Sequence, residues 1–178
     1  EEVLWMMFCP DCHNPERDQR LGVTCANEGF AAFYDAHIRK LLLVRDRRRY
    51  LAKGNYNLTR LPYIHRLYGD ARFLVPVRHP VRHIASLMKQ DALFNVGLAH
   101  NRRGRNYLAW SGHFEFGPDK RAVNTGDAAV VANINDAWQC GDDLRGWALQ
   151  WNSLYRCALE QQAANPVLQG ACLWLRYE

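Results

Sequence analysis

The sequence predicts an α/β domain in which a parallel sheet is flanked by helices. Stripes of apolar residues at three- and four-residue steps alternate along the chain with short apolar runs. One of those runs, Ala71 to Val77, is almost continuously apolar, as in a parallel strand covered on both faces. At 178 residues the chain is long enough to bury a sizeable core, and residues 1–178 are read as a single domain.

The first stripe comprises Phe30, Phe33, Tyr34, His37, Ile38 and Leu41, one face of a helix running to about Val44. The basic cluster Arg45-Asp46-Arg47-Arg48-Arg49 reads as its solvated end, where cations offset the helix dipole. A short strand is expected over Arg49 to Ala52, ending in Lys53-Gly54-Asn55. Leu58 to Tyr68 is a second helix, with Pro62 in its first turn and Gly69-Asp70 as its stop.

The strand from Ala71 to Val77 follows, with Pro76 expected near its end because proline gives no ladder donor. Arg78-His79-Pro80 then opens a helix, proline being tolerated at the first position, with Val81, Ile84, Ala85 and Met88 as its buried stripe. From Leu93 to Cys140 the periodicity is weak, and the segment reads as loops and short helices on the acceptor side of a site. The longest helix is expected from Leu144 to Ala163, on a stripe of Leu144, Trp147, Ala148, Trp151, Leu154, Tyr155 and Ala158. Asn165-Pro166 ends it, and a last strand runs from about Ala171 to Tyr177.

The composition excludes some classes. Apolar residues make up 48% and charged residues 23%, the mix of a globular protein, and no apolar run is long enough to span a bilayer. A net charge of +5 favours anionic ligands. Cys157 and Cys172 fall on apolar positions and read as buried thiols. Cys9-Pro10-Asp11-Cys12-His13 has the look of half a zinc site, but only Cys25 follows at a workable distance, so it reads as incidental and no metal is expected. The sequon Asn57-Leu58-Thr59 falls in the expected site loop and also reads as incidental.

In parallel sheets ligands bind at the carboxyl ends of the strands. Two expected strands end in Lys53 and Arg78, cations able to face one anion. An Arg there can grip a phosphate with its planar fork, and the following helix adds amide groups and positive potential. Ser86 lies on the stripe His79, Arg82, Ser86, turned away from the buried one. The same spacing fits an Arg paired with a carboxylate and an ordinary surface serine.

The run Arg72-Phe73-Leu74-Val75-Pro76-Val77-Arg78-His79-Pro80, with Ser86 beyond it, resembles the 3′-phosphate motif of the sulfotransferases that use 3′-phosphoadenosine 5′-phosphosulfate (PAPS). The resemblance implies that Arg78 and Ser86 hold the 3′-phosphate; where this chain has His79, the family more often has Asp or Asn. Tyr50 to Asn57 is similar to the family's strand-Lys segment in its bacterial branch, and Gly69-Asp70-Ala71-Arg72-Phe73 to the approach to the next strand. Ala109 to Gly117 resembles an acceptor-region motif, and Leu173 to Glu178 a late strand of that family. The likeness covers about Lys53 to Glu178 and implies a P-loop-NTPase-like sheet. The family's phosphosulfate-binding loop has no counterpart before Glu28, so the expectation is a partial sulfotransferase domain whose chain is truncated.

As a sulfotransferase the protein is expected to bind PAPS as co-substrate, with an acceptor hydroxyl or amine that these residues leave open. No nucleic acid, no metal and a cytoplasmic setting are expected. Sulfuryl transfer, like phosphoryl transfer, rests on positioning and charge stabilisation, which assigns Lys53 to the transferring oxygens. The family's His two positions after the Lys is Asn55 here, leaving His113 and Glu115 as candidate bases; His113 also fits a packing or capping role. His79 and His83 flank the phosphate clamp. Two alternatives stand: a phosphotransferase-like nucleotide enzyme, which calls for a strand-end Asp not found here, and a non-catalytic module for anions or glycans.

Overall fold

A computed structural model describes residues 1–177. Glu178, last of the stretch likened to the late strand, lies outside the described residues. The elements in chain order are α1 (Glu2–Phe8), α2 (Glu28–Arg45), a short 3-10 helix (Asn55–Thr59), α3 (Leu61–Leu67), β1 (Phe73–Val77), α4 (Pro80–Leu98), α5 (Arg102–Ser111), α6 (Ala128–Gln139), α7 (Asp143–Ala164), α8 (Pro166–Ala171) and β2 (Cys172–Arg176). The result is a mixed α/β fold, mostly helical, around a two-stranded parallel sheet.

Local chemistry accounts for the main boundaries. Asn27 caps α2 by accepting from the Phe30 amide at 2.8 Å, and its own amide donates to the Phe8 carbonyl, also at 2.8 Å. Asp46 ends the helix in the left-handed conformation, and Arg45 to Arg49 are exposed, as expected of a solvated end. Asp142 caps α7 through the Arg145 amide. Pro62, Pro80 and Pro166 all sit in first turns.

Several expectations are corrected. Arg49 to Ala52 is irregular: β1 and β2 pair with each other, no described strand lies beside this segment, and Leu51 is exposed. Pro76 does lie near the strand end as expected, as the penultimate residue of β1, but it is still in register opposite Leu175, and its carbonyl accepts from the Tyr155 hydroxyl of α7 at 3.0 Å. The region 93–140 is far more helical than expected. Val130, Val131, Ile134 and Trp138 form a stripe on α6, whose cap Asp127 accepts from the Ala129 and Val130 amides. On α4, Val81 and Ala85 are exposed; Ile84 and Asp91 are the buried positions. On α7, Leu144 is exposed while Gly146, Gln150, Ser153 and Cys157 join Trp147 and Ala158 inside. This helix is central, packed by α4, α6 and α8, so its buried surface spreads beyond one stripe. The polar members are satisfied by the loop before α6: Gln150 accepts from the Val123 amide, and Ser153 bonds Thr125 at 2.7 Å.

The sheet is covered on one face only. Phe73 and Trp174 pack towards Leu61, Ala158 and Leu168, whereas Leu74 and Leu173, opposite one another, are 60% and 54% exposed. The largest core cluster lies elsewhere, built on Trp5, Phe30, Tyr34 and Tyr63 with Cys12. Trp5 and Phe30 meet with ring centroids 4.2 Å apart. Among the described residues no helix is long and apolar enough to cross a membrane.

All six cysteines are free. Cys157 is buried as expected, Cys172 half-buried and Cys140 exposed. Burial pushes the Cys12 thiol up to about 12 and the Cys157 thiol up to about 11. Alkylation of the native protein at mildly alkaline pH is therefore expected to label Cys140 first and to leave Cys12 and Cys157 unmodified until denaturant is added. Peptide mass spectrometry of timed samples checks this order.

Candidate functional site

The residues picked out from sequence fall into two groups. The first surrounds the carboxyl ends of the strands. Val77 lies opposite Arg176, so β1 runs into Arg78 while β2 ends in a second cation. Arg78 is half-buried, and α4 starts two residues later with no side-chain cap. Beside it lies a cleft of about 410 Å³ lined by His79, Val81, Arg82 and Arg176. Three of these four residues are of basic type. Ser86 is exposed further along α4 and does not line this cleft. His83 is half-buried, and its Nδ1 accepts from the Trp151 indole at 3.0 Å, which fixes the ring.

The second group joins segments distant in sequence. Asn55 donates to Glu115 Oε1 at 3.0 Å, and His113 Nδ1 lies 3.4 Å from Glu115 Oε2. Both carboxylate oxygens are thus oriented from outside. The Glu115 side chain is 17% exposed and that of His113 56%, which removes the packing role for His113. Lys53 is exposed two residues before Asn55, in irregular chain and not at a strand end. Tyr56, which sequence reasoning missed, lies beneath: its buried hydroxyl accepts from the Phe114 amide at 3.3 Å. Burial, and then the Glu115 charge, push its phenol well above the usual range, so it stays neutral. The aromatic residue directly after the Lys-Gly-Asn run was the available signal.

The loop carrying Glu115 is pinned to the middle of α4. Buried Asp91 accepts from the Gly117 amide at 2.7 Å and pairs with Lys120. Gly117 has φ +90, and a Cβ there would come within 3.1 Å of Leu98, so conformation and space both call for glycine. From Pro80 to Asp91 the helix rises about 16 Å at 1.5 Å per residue. The structure therefore brings Asn55, His113 and Glu115 together but sets this group well along α4 from Arg78.

Behind the loop opens a cleft of about 730 Å³, bordered by His100, Arg102, Arg105, Lys120 and Arg121, with Asp119 as its carboxylate. Arg105 clamps Asp119 through Nε at 2.6 Å and holds that carboxyl below the usual range. Arg121 stacks over Phe114 at 3.9 Å, between the two candidate bases in sequence. This is the region expected on the acceptor side, and its character is cationic. No protein-family model matches this chain, nor does any curated protein or solved structure.

Proposed function

We propose that the protein is a sulfotransferase, moving a sulfuryl group from PAPS to an acceptor hydroxyl or amine. The observation that carries this reading is the unit β1–Arg78–α4: a parallel strand running into an arginine at the start of a long helix, with a basic cleft alongside. In this reading the fold is a partial P-loop-like sheet, and Arg78 grips the 3′-phosphate with Ser86 further along α4. Support for the chemistry comes from Asn55 and Glu115, which lie in the two segments likened to the Lys and acceptor motifs and meet in one hydrogen bond.

Glu115, aligned by Asn55 and His113, takes the acceptor proton. The acceptor oxygen or nitrogen bonds to sulfur as the bond from sulfur to the bisphosphate oxygen breaks, and adenosine 3′,5′-bisphosphate leaves with the electron pair. Lys53, which is exposed, balances charge on the transferring oxygens. The six free thiols fit a reducing compartment, and the cytoplasm is the setting proposed.

Titration calorimetry with adenosine 3′,5′-bisphosphate against 5′-AMP tests the reading. The bisphosphate is expected to bind more tightly, and Arg78→Ala to erase that preference by a loss of about 10- to 100-fold, the worth of a charge-assisted pair. Equal weak binding of both nucleotides, unchanged in a folded Arg78→Ala protein, would sink it. The larger cationic cleft favours a second reading, an anion- or glycan-binding module. That reading expects a sulfated oligosaccharide to bind with steep salt dependence while neither nucleotide is preferred.

A further inference from the structure

We infer that Glu2, Cys12 and His13 form a binding site for one zinc ion, with three protein ligands and a fourth position left to solvent. A carboxylate oxygen, a sulfur and an imidazole nitrogen from these residues all lie within 4.8 Å of one another. Tetrahedral zinc with bonds of about 2.0–2.3 Å sets its ligands about 3.3–3.8 Å apart, so side-chain adjustments alone close the shell. The mixed sulfur, nitrogen and oxygen donor set selects zinc over magnesium or calcium.

Two further observations point the same way. His13 and Cys12 are only 5% and 7% exposed, and His13 Nε2 is buried without a hydrogen bond although Glu2 Oε1 is 2.9 Å away. A buried nitrogen aimed at a carboxylate yet unsatisfied calls for a partner that accepts its lone pair. The fold also supplies what the Cys9-x-x-Cys12-His13 spacing lacked: Glu2, from the first turn of α1, completes the set.

Arg60 is the cation that any metal there must tolerate. It donates to Glu2 Oε2 at 3.1 Å and to Oε1 at 2.6 Å, while its guanidinium stacks on Trp5 at 4.5 Å. With Oε1 turned to the metal, the Oε2 bond remains and Arg60 orients the ligand from outside. On binding, the Cys12 thiol releases its proton to solvent as the sulfur–zinc bond forms. Zinc at +2 with Glu2, the Cys12 thiolate and Arg60 leaves one positive charge, which hydroxide at the fourth position cancels. The site is a staple: the His13 ring lies 4.4 Å from Tyr56 and 5.0 Å from Phe114, directly behind the Asn55–Glu115 group. The inference does not depend on the sulfotransferase reading.

The test is titration of chelator-treated protein with cobalt, then zinc. One equivalent of cobalt is expected to give a thiolate-to-metal band in the near ultraviolet and visible bands of tetrahedral strength, both bleached by zinc. Zinc raises the melting temperature, and chelation lowers it again. Cys12→Ser abolishes the band, and Cys12→Ser and His13→Gln each weaken zinc binding by about 100-fold or more; Cys140→Ser changes neither. Absence of saturable, stoichiometric binding in the unsubstituted protein overturns the site, and that result needs no variant to fold. A band that survives Cys12→Ser but is lost in Cys9→Ser or Cys25→Ser overturns it too, by placing the metal on other thiols.

Discussion

Lys120→Met is expected to destabilise the protein by about 3–5 kcal/mol, because it strands the charge of Asp91 inside. The Asp91 side chain is 3% exposed, and its remaining partner would be the Gly117 amide at 2.7 Å. Asp143, 3.5 Å from the Lys120 ammonium, is half exposed and needs no such compensation. Methionine supplies apolar bulk of similar length beneath Trp138 and Trp147, whose rings the ammonium approaches at 4.9 and 5.7 Å. The loss is then electrostatic, not a cavity. Adding Asp91→Asn removes the stranded charge while its side-chain oxygen still accepts from Gly117, so the double variant should recover most of the stability. Urea unfolding of the four proteins in the cycle measures this; a loss under about 1 kcal/mol for Lys120→Met would mean that Asp91 is not held as a buried anion. Because the pair fixes the loop bearing Glu115, the single variant should also weaken ligand binding in the neighbouring cleft.

The elements legible in the sequence are those stabilised by their own pattern. The α2 stripe, the run from Ala71 to Val77, the long α7 and the last strand were expected and are found within two or three residues of their ends. Each combines a clear period with a cap or a breaker. The Arg49 to Ala52 segment failed because a strand is defined by its neighbour, and nothing local reveals that no described strand pairs with it. Helix α6 was legible in principle: Asp127 is a good cap, and Val131, Ile134 and Trp138 share a face. Three polar residues among them (Asn133, Asn135 and Asp136) masked the period. The α4 stripe was misplaced because its central buried residue is Asp91, which hydropathy assigns to the surface and only Lys120 and Gly117 make tolerable inside.

The candidate site divides the same way. Arg78 at a strand end follows from local order, since a strand's last residue and the next helix's first are fixed by the turn between them. That Asn55 meets Glu115, or that Glu2 meets His13 and Arg60, depends on contacts across many residues that no spacing rule reports. The charged residue types were visible beforehand; their partners were not. For this reason the buried ionic groups, and not the apolar stripes, are where the structure adds most to the reading of the chain.

The second large effect concerns Arg60, and its signature is a change in pH dependence. Arg60 is fully buried between Trp5 and Tyr56, and it holds Glu2 through two hydrogen bonds. Burial alone would raise the Glu2 carboxyl; the adjacent His13 imidazole, with the hydrogen bonds and charge of Arg60, outweighs it and holds the group below the usual carboxylate range. A carboxyl depressed in the folded state adds stability above its unfolded pKa, and that stability is lost as pH falls through the folded value. In Arg60→Met the effect of burial is left unopposed by the guanidinium, and Glu2 moves up instead. A raised carboxyl is favoured when protonated, so the variant gains stability, relative to its own value at neutral pH, as the solution is made mildly acidic. At neutral pH the expected loss is about 3–5 kcal/mol, with Glu2 as the uncompensated charge. Denaturant midpoints measured across pH in the presence of a chelator distinguish this from lost packing. Packing loss would lower the curve evenly and keep its slope, whereas the charge account requires a gain towards acid to appear between neutral and mildly acid pH, where Glu2 of the unsubstituted protein adds no slope, and to vanish again in Glu2→Gln/Arg60→Met.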